Sequence, residues 1–552
     1  MHHPRDYESR VGHLLHRPLS VFSTEKVQIN DEYTVKVPTS NNSHKTRGWS
    51  DLYSYQQDGI KWLWKLHRKQ VGGIVGDEMG LGKTVQICTF FNSLYFTQNR
   101  LSKARYRGIG PSLIICPATL VYQWVQELHK WAPFFKVLVL HNSSGNTTAE
   151  IHRQLKQSFR TCLKQTEKYD KSEDSADLTP PVIIIATYGK LRQAEGFIDY
   201  QWHYAILDEG HQIRNPEAKL TIAAKKLRTC HRLILTGTPI QNNLKELWCL
   251  YDFCYPSLLG TLPVFMEEIA TPIQQGGYAN ANDGQVRLAY KCALTLKETI
   301  TPYLLRRTKK GVNHMLNLPD KKDQILFCKL TKAQIEAYKM YLNSEDYHKI
   351  MRGDMQSFAG LITLRKICNH ADLYTQKHCI NGSFGDTSRS GKLIVLQSLL
   401  KMWHDCGTER FRVLVFTQSR DLKRIIVNRL LKDDFPDSDF IEMDGTTSIG
   451  QRQKLVKRFN EDKSVFCMVL TTKVGGLGLN LTGANRVVIF DPDWNPSTDL
   501  QAQERSWRIG QEKSVVVYRL LTAGAINSDT KYNELYFYFK FNHSSIRFPR
   551  SQ

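Results

Sequence analysis

Nine residues, Gly76-Asp77-Glu78-Met79-Gly80-Leu81-Gly82-Lys83-Thr84, constrain this chain more than any other stretch. A short apolar run, Gly73-Ile74-Val75, precedes them, and the apolar helical pattern Val85-Gln86-Ile87-Cys88-Thr89-Phe90-Phe91 follows. Strand, glycine-rich turn and helix make the setting that a phosphate-binding loop requires. Glycines let backbone N–H groups close around phosphates, and the helix N-terminus adds a partial positive charge. On this reading Asp77, Glu78, Met79, Gly80, Leu81 and Gly82 wrap the phosphates, Lys83 reaches the β- and γ-phosphates, and the Thr84 hydroxyl ligates Mg²⁺. The strict G-x-x-x-x-G-K-[ST] pattern is not met, because Asp77 stands where the first glycine belongs. The plain alternative is a chance Gly-Lys-Thr in a surface turn.

With 552 residues the chain has room for several domains. A hydrophobic content of 41% and a charged content of 23% suit a globular protein with sizeable cores. The 75 Lys and Arg against 53 Asp and Glu leave +22, an excess that points to a polyanionic partner, nucleic acid first. Generic solubility charge is the competing explanation. The 12 cysteines are scattered without a C-x-x-C pair, so neither a zinc ribbon nor a redox dithiol is indicated. Reduced, buried thiols in an intracellular protein fit best. The start, Met1-His2-His3-Pro4-Arg5-Asp6, lacks the apolar core of a signal peptide. No apolar run approaches membrane-spanning length, so no membrane partner is expected.

Residues 1–48 are polar and read as a flexible segment. An amphipathic helix around Tyr53–Leu63 carries Gln56, whose amide both donates and accepts and suits an adenine edge. After the loop helix, apolar strands at Ser112–Cys116, Phe135–Leu140 and Val182–Thr187 alternate with helical patterns. Between the last two, residues 142–180 read as a polar insertion with a helix near 149–163. Such alternation implies a parallel, doubly wound sheet, whose ligands sit beyond the carboxyl ends of the strands. At one such end the strand Tyr204-Ala205-Ile206-Leu207 delivers Asp208-Glu209-Gly210-His211. Asp208 would hold Mg²⁺, and Glu209 would orient and deprotonate the attacking water. His211 reads as a coupling residue rather than a base. A sixth strand, Leu233-Ile234-Leu235, ends in Thr236-Gly237-Thr238-Pro239-Ile240-Gln241-Asn242.

This order of Gln56, Asp77–Thr84, Asp208–His211 and Thr236–Asn242 resembles the first lobe of a superfamily-two helicase-like motor. The Asp-Glu-Gly-His box and the Leu-Thr-Gly-Thr-Pro-Ile-Gln-Asn text are similar to the Swi/Snf-type DNA translocases. The resemblance implies an α/β fold of two RecA-like doubly wound parallel-sheet lobes with helical insertions between them. It divides the chain into a lobe at 49–260, helical protrusions and linker at 261–389, a second lobe at 390–526 and a divergent tail at 527–552. Within 261–389 the basic segment Pro302–Lys310 offers a surface that could track a nucleic-acid backbone.

In the second lobe, strands at Arg412–Phe416, ending at Met443, at Cys467–Leu470 and at Val487–Phe490 carry polar or glycine-rich turns. Gln418, Ser419, Thr471, Thr472, Gly475 and Trp494, with Thr187 of the first lobe, are the candidate nucleic-acid contacts. In Gln501–Gln511, Arg505 and Arg508 are three apart and on a helix would share one face. Either, aimed at the γ-phosphate, would act as an arginine finger, worth ~10³–10⁵ in rate.

Gly76–Thr84, Met443–Thr447, Asn485–Asp499 and Tyr518–Gly524 look like the Cockayne syndrome group B branch of that family. The branch implies an ATP- and Mg²⁺-dependent motor on double-stranded DNA in transcription-coupled nucleotide-excision repair or chromatin remodelling. It further implies a nuclear location, with RNA polymerase and nucleosomes as further partners. A strand-separating helicase and a catalytically silent scaffold stand as alternatives. After Ile526 the expected helical brace is replaced by an aromatic run, Tyr532–Phe541, so the chain reads either as a fragment of such a protein or as an irregular gene product.

Overall fold

The computed structural model describes residues 24–30, 33–38, 47–97, 109–133, 135–140, 153, 182–193, 197, 200–237, 243–278, 280–316, 318–375, 384–406, 411–436, 439–475, 479–494 and 496–523. The helix expected near 149–163 lies outside these residues except for Arg153, as do Thr238–Asn242 and the tail from 524. Two compact units divide the chain, Met1–Asn317 and Leu318–Gln552.

The first unit opens with a hairpin where a flexible segment was expected. Strand β1 (Thr24–Asn30) pairs antiparallel with β2 (Tyr33–Pro38), setting Val27 opposite Val35. In the sequence Val27 and Ile29, then Val35 and Val37, alternate with polar neighbours, a β-favouring pattern that the polar composition of the segment conceals. Val27 packs against the lobe core.

Seven strands then form one parallel sheet: β3 (Gly73–Val75), β4 (Ser112–Cys116), β5 (Lys136–Leu140), β6 (Val182–Thr187), β7 (Tyr204–Asp208), β8 (His231–Leu235) and β9 (Leu304–Leu305). Their order is β5-β6-β4-β7-β8-β3-β9. The period of two along each strand creates two cores. Val75, Ile114, Cys116, Ile183, Ile185, Ile206 and Leu233 face one side, and Ile74, Leu113, Ile115, Ile184, Leu207 and Ile234 the other. Helices cover both faces, as a buried parallel sheet requires. The helix Ser54–Lys69 buries Tyr55, Gln56, Gly59, Ile60, Leu63, Trp64 and Leu66, spaced to line one face, and stops at Gln70 in the left-handed region.

The second unit holds a six-stranded parallel sheet of β10 (Lys321–Lys329), β11 (Val413–Thr417), β12 (Asp439–Met443), β13 (Val465–Thr471), β14 (Arg486–Ile489) and β15 (Val515–Ala523). Its order is β10-β15-β14-β11-β13-β12. Alternation again splits two cores, Val413, Val415, Val469 and Val488 against Leu414, Phe416, Met468 and Ile489. Both units are thus α/β with parallel sheets, as expected.

The region 261–389 is not helical throughout. It supplies β9 to the first sheet and β10 to the second, and its helices divide between the units. Asp283–Ile300 lies in the first, and Lys332–Leu342, Glu345–Arg352 and Ser357–Asn369 lie in the second. Strand β10 is masked in the sequence because an edge position lets Lys322, Asp323 and Gln324 stay exposed.

Candidate nucleotide site

The loop after β3 adopts the conformation that its glycines permit. Gly80 has φ +88° and Gly82 φ +78°, both left-handed, and Gly82 caps the helix Lys83–Phe96. A Cβ on Gly82 would also meet Gln56 Nε2 at 2.5 Å, so glycine is needed there on two counts. Lys83 turns into the loop, its Nζ donating to the Asp77 carbonyl at 2.8 Å and the Glu78 carbonyl at 3.4 Å. Thr84 sits half-buried in the first helical turn. Met79 and Leu81 are buried and anchor the loop to the core.

Gln56 lies beside this loop, and its amide is partly engaged. Its Oε1 accepts from Tyr53 N at 3.2 Å, and its Nε2 donates to the Leu81 carbonyl at 3.3 Å. One N–H and one lone pair of the amide remain for an adenine edge.

Asp77, the departure from the strict loop pattern, is fully buried and paired. The Arg307 guanidinium contacts both its carboxylate oxygens, with Nε donating to Oδ1 at 2.9 Å and Nη2 bonded to Oδ2. Arg307 also donates through Nη2 to Gln86 Oε1 at 2.8 Å, through Nη1 to the Tyr55 carbonyl, and lies over the Tyr55 ring. Arg306 Nη1 donates to the Gly76 carbonyl at 3.3 Å, Gly76 N to the Leu305 carbonyl at 2.7 Å, and Lys309 N to Glu78 Oε2 at 2.7 Å. Of the basic segment expected to track a nucleic-acid backbone, Arg307 and Lys309 are turned inward, Arg307 because a buried carboxylate demands a cation, while Arg306 and Lys310 stay exposed. Sequence reasoning missed Arg306 and Arg307 as loop supports. The available signal was the pairing of a carboxylate in the loop with an Arg-Arg pair just after a short apolar run.

The carboxylate pair stands at the carboxyl end of β7. Asp208 Oδ2 accepts from Trp124 Nε1 at 2.8 Å, Oδ1 accepts from Glu209 N at 3.0 Å, and its carbonyl accepts from the Tyr188 hydroxyl at 2.8 Å. Burial, reinforced by the Glu209 carboxylate, pushes the Asp208 carboxyl up to about 6. Glu209 adopts φ +52°, a left-handed strain of the sort stored at functional sites. Its Oε2 is buried without a hydrogen bond, 3.5 Å from His211 Nδ1. An orphaned carboxylate oxygen beside a carboxyl held up by burial fits a divalent cation, which would satisfy the first and restore charge to the second. His211 is itself kept neutral by burial.

The second unit's candidates fare unevenly. Arg505 and Arg508 are not on a shared helix face, since the helix Pro496–Gln503 ends before them and they lie in successive turns. Arg505 is 1% exposed and Arg508 half-buried, its Nε donating to the Glu504 carbonyl at 3.1 Å. Thr471 and Thr472 are buried, and the Thr472 hydroxyl donates to the Thr417 carbonyl at 3.2 Å, so neither side chain faces outward. Thr187, at the end of β6, is likewise buried. The Ser419 hydroxyl caps the following helix by accepting from Asp421 N at 3.2 Å. Gln418 N donates to Asp491 Oδ1 at 2.7 Å, while Gln418 Nε2 is buried without a hydrogen bond. Trp494 is 38% exposed, with Arg365 over its ring, and Gly475 ends the short helix after β13.

Two parallel-sheet units, the first with a phosphate loop and a strand-end carboxylate pair, define a helicase-like nucleotide hydrolase by architecture. The chain belongs to the SNF2-related family: the SNF2-related domain matches residues 55–373, more than half of it, and the helicase conserved C-terminal domain matches 391–510. It is similar to the DNA excision repair protein ERCC-6 of Homo sapiens, 49% identical over 504 residues, covering 89% of this chain and 32% of the relative. The DNA excision repair protein CSB of Oryza sativa subsp. japonica is 44% identical, covering 90% and 41%. The DNA repair and recombination protein RAD26 of Saccharomyces cerevisiae is 43% identical, covering 90% and 47%. The resemblance to the Swi/Snf-type motors, in their excision-repair branch, is thus borne out, and the chain spans less than half the length of these relatives. Among solved structures, the Sulfolobus solfataricus SWI2/SNF2 ATPase core in complex with dsDNA is 28% identical, covering 90% of this chain and 91% of that one, with a TM-score of only 0.39. No helix among the described residues is long and apolar enough to cross a membrane.

Proposed function

We propose that this chain is an ATP-hydrolysing motor driven along double-stranded DNA. The observation that carries the reading is the conjunction, on one sheet, of Lys83 turned into its glycine loop and the buried Asp208 with its half-buried neighbour Glu209. When bound, Mg²⁺ supplies charge neutralisation of the phosphates. Thr84 and Asp208 are the residues that would hold it, and Lys83 would hold the β- and γ-phosphates. Glu209, with Oε2 unengaged by any hydrogen bond, is the group to take the proton of the attacking water. Arg508, the more accessible of the two arginines, is the candidate for the leaving phosphoryl charge. Duplex DNA as the track rests on the excess of +22 and on the family. A role in excision repair rests on the names of the relatives, and a nuclear location with stalled RNA polymerase or nucleosomes as partners rests on the resemblance to the Cockayne syndrome group B branch alone.

Glu209→Gln is the direct test of the chemistry. It keeps shape and hydrogen bonding but removes the base, so phosphate release with duplex DNA should fall by about 10²–10⁴-fold while ATP binding persists. Hydrolysis at the parental rate would remove Glu209 from the mechanism.

A further inference from the structure

At the far end of the first sheet, about 13 Å along β7 from Asp208 by strand rise, three imidazoles converge. His67 lies in the last turn of the helix Ser54–Lys69, His203 immediately precedes β7, and His231 opens β8. One nitrogen of each lies within 4.8 Å of the others. Ring centroids are 4.8 Å apart for His67 and His231, 5.6 Å for His203 and His231, and 5.9 Å for His67 and His203.

Packing alone explains part of this cluster. Tyr204 stacks on His231 at 4.7 Å, and Phe90 meets Tyr204 edge-on. Packing does not explain the polar atoms. His231 is 5% exposed, and its Nδ1 is buried with no hydrogen-bond partner, an arrangement that a core of satisfied polar groups avoids. His67 Nδ1 lies 2.7 Å from the Tyr204 hydroxyl, a partner of the kind that orients a metal-bound imidazole and leaves Nε2 as the ligand atom. Gly110 N donates to His203 Nδ1 at 2.9 Å. His203 becomes a ligand only by releasing that N–H, whichever nitrogen it offers.

We propose that His67, His203 and His231 form a three-imidazole site for a divalent transition cation of the zinc class, tying the end of the Gln56-bearing helix to the starts of β7 and β8. Three neutral imidazoles with no carboxylate among them select Zn²⁺ and its neighbours over Mg²⁺ or Ca²⁺, which require oxygen. Tetrahedral bonds of about 2.0–2.1 Å place ligand nitrogens about 3.3 Å apart, so loading draws the rings together by side-chain rotation and leaves the fourth position to water. The site stands apart from the nucleotide loop, so its role is to fasten the lobe, not to hydrolyse ATP. It does not depend on the function proposed above.

The test uses the full chain, stripped with a chelator and titrated with Co²⁺ and then Zn²⁺ alone. The parent should take up one equivalent more than the His67→Gln/His231→Gln variant, with a visible d–d band of tetrahedral cobalt that only the parent shows. Zinc should raise the parent's melting temperature and leave the variant's unchanged, and both should hydrolyse ATP alike. Equal uptake and equal melting shifts would overturn the site. Should the double variant not fold, Tyr204→Phe decides: zinc affinity about 10-fold weaker is expected from loss of the hydroxyl that orients His67, and unchanged affinity overturns the proposal.

Discussion

At the scale of single residues, Asp77 and Arg307 show how a departure from a motif is compensated. A carboxylate replaces glycine at the start of the loop, and a guanidinium from far along the chain neutralises it with two charge-assisted bonds, the Arg307 backbone N–H donating a third. Gly59 belongs to the same arrangement, since a Cβ there would meet Gln86 Oε1 at 2.0 Å and Arg307 Nη2 at 2.9 Å. Removing one partner of a buried pair strands the other, so Arg307→Ala should cost about 3–5 kcal/mol and weaken ATP binding. Arg307→Lys should recover little, because an ammonium cannot reproduce the fork. Denaturant unfolding checks this, and Asp77→Ala/Arg307→Ala should be less destabilised than Arg307→Ala alone. A double variant as unstable as the sum of its parts would mean that the two side chains do not interact. The carboxylate in the loop and the Arg-Arg pair are both visible in the sequence, but nothing in it says that the two meet. Lys83, Thr84, Asp208 and Glu209 stand out as candidates, the first two at the end of a glycine-rich turn after an apolar strand and the last two at the end of another, whereas Arg307 reaches the loop only through the fold.

At the scale of elements, legibility followed hydrophobic period. Strands β3 to β8, buried on both faces, announce themselves as apolar runs, and β11, β13 and β14 do likewise. Missed were the β1–β2 hairpin, β9 of two residues, the edge strand β10, where exposure leaves one face polar, and also β15, although its Val515, Val517, Leu520 and Leu521 are buried. The R-x-x-R spacing misled for a related reason: helical spacing says nothing about where the helix stops, and this one stops at Gln503. A turn in the second lobe offers a test of charge at this scale. Lys423 Nζ donates to Asp444 Oδ2 at 2.8 Å and Glu442 Oε2 at 2.7 Å, joining the helix Arg420–Ile425 to the end of β12. The Lys423 ammonium and the Thr446 hydroxyl hold the Asp444 carboxyl well below the ordinary aspartate range, while Lys423 is raised by the same bonds against the opposing effect of burial. The depressed carboxylate stabilises above the unfolded aspartate value near 3.9 and ceases to as pH falls further. The raised lysine stabilises below the unfolded lysine value near 10.4 and ceases to as pH rises beyond it. Lys423→Met should therefore cost about 1.5–3 kcal/mol across neutral pH, with the difference shrinking below about pH 4. A pH-independent difference in unfolding free energy would show that packing, not charge, holds the turn.

At the scale of the whole molecule, the charge excess of +22 belongs with a track of phosphates. Contacts to a backbone carry no base information and release counterions, so duplex affinity should be indifferent to sequence and fall linearly in log K against log salt. Titration of labelled duplexes of differing sequence over a salt series checks both, and a sequence preference that persists at high salt would speak for base readout instead. The central claim is that the loop around Lys83 is where ATP is bound and turned over for that track. Its most direct measurement is ATP hydrolysis by the parent and by Lys83→Ala, each with and without duplex DNA, alongside duplex binding by both. The account predicts parental turnover that duplex DNA stimulates, and a variant that binds duplex as the parent does yet releases no phosphate. Hydrolysis by Lys83→Ala at the parental rate would contradict it.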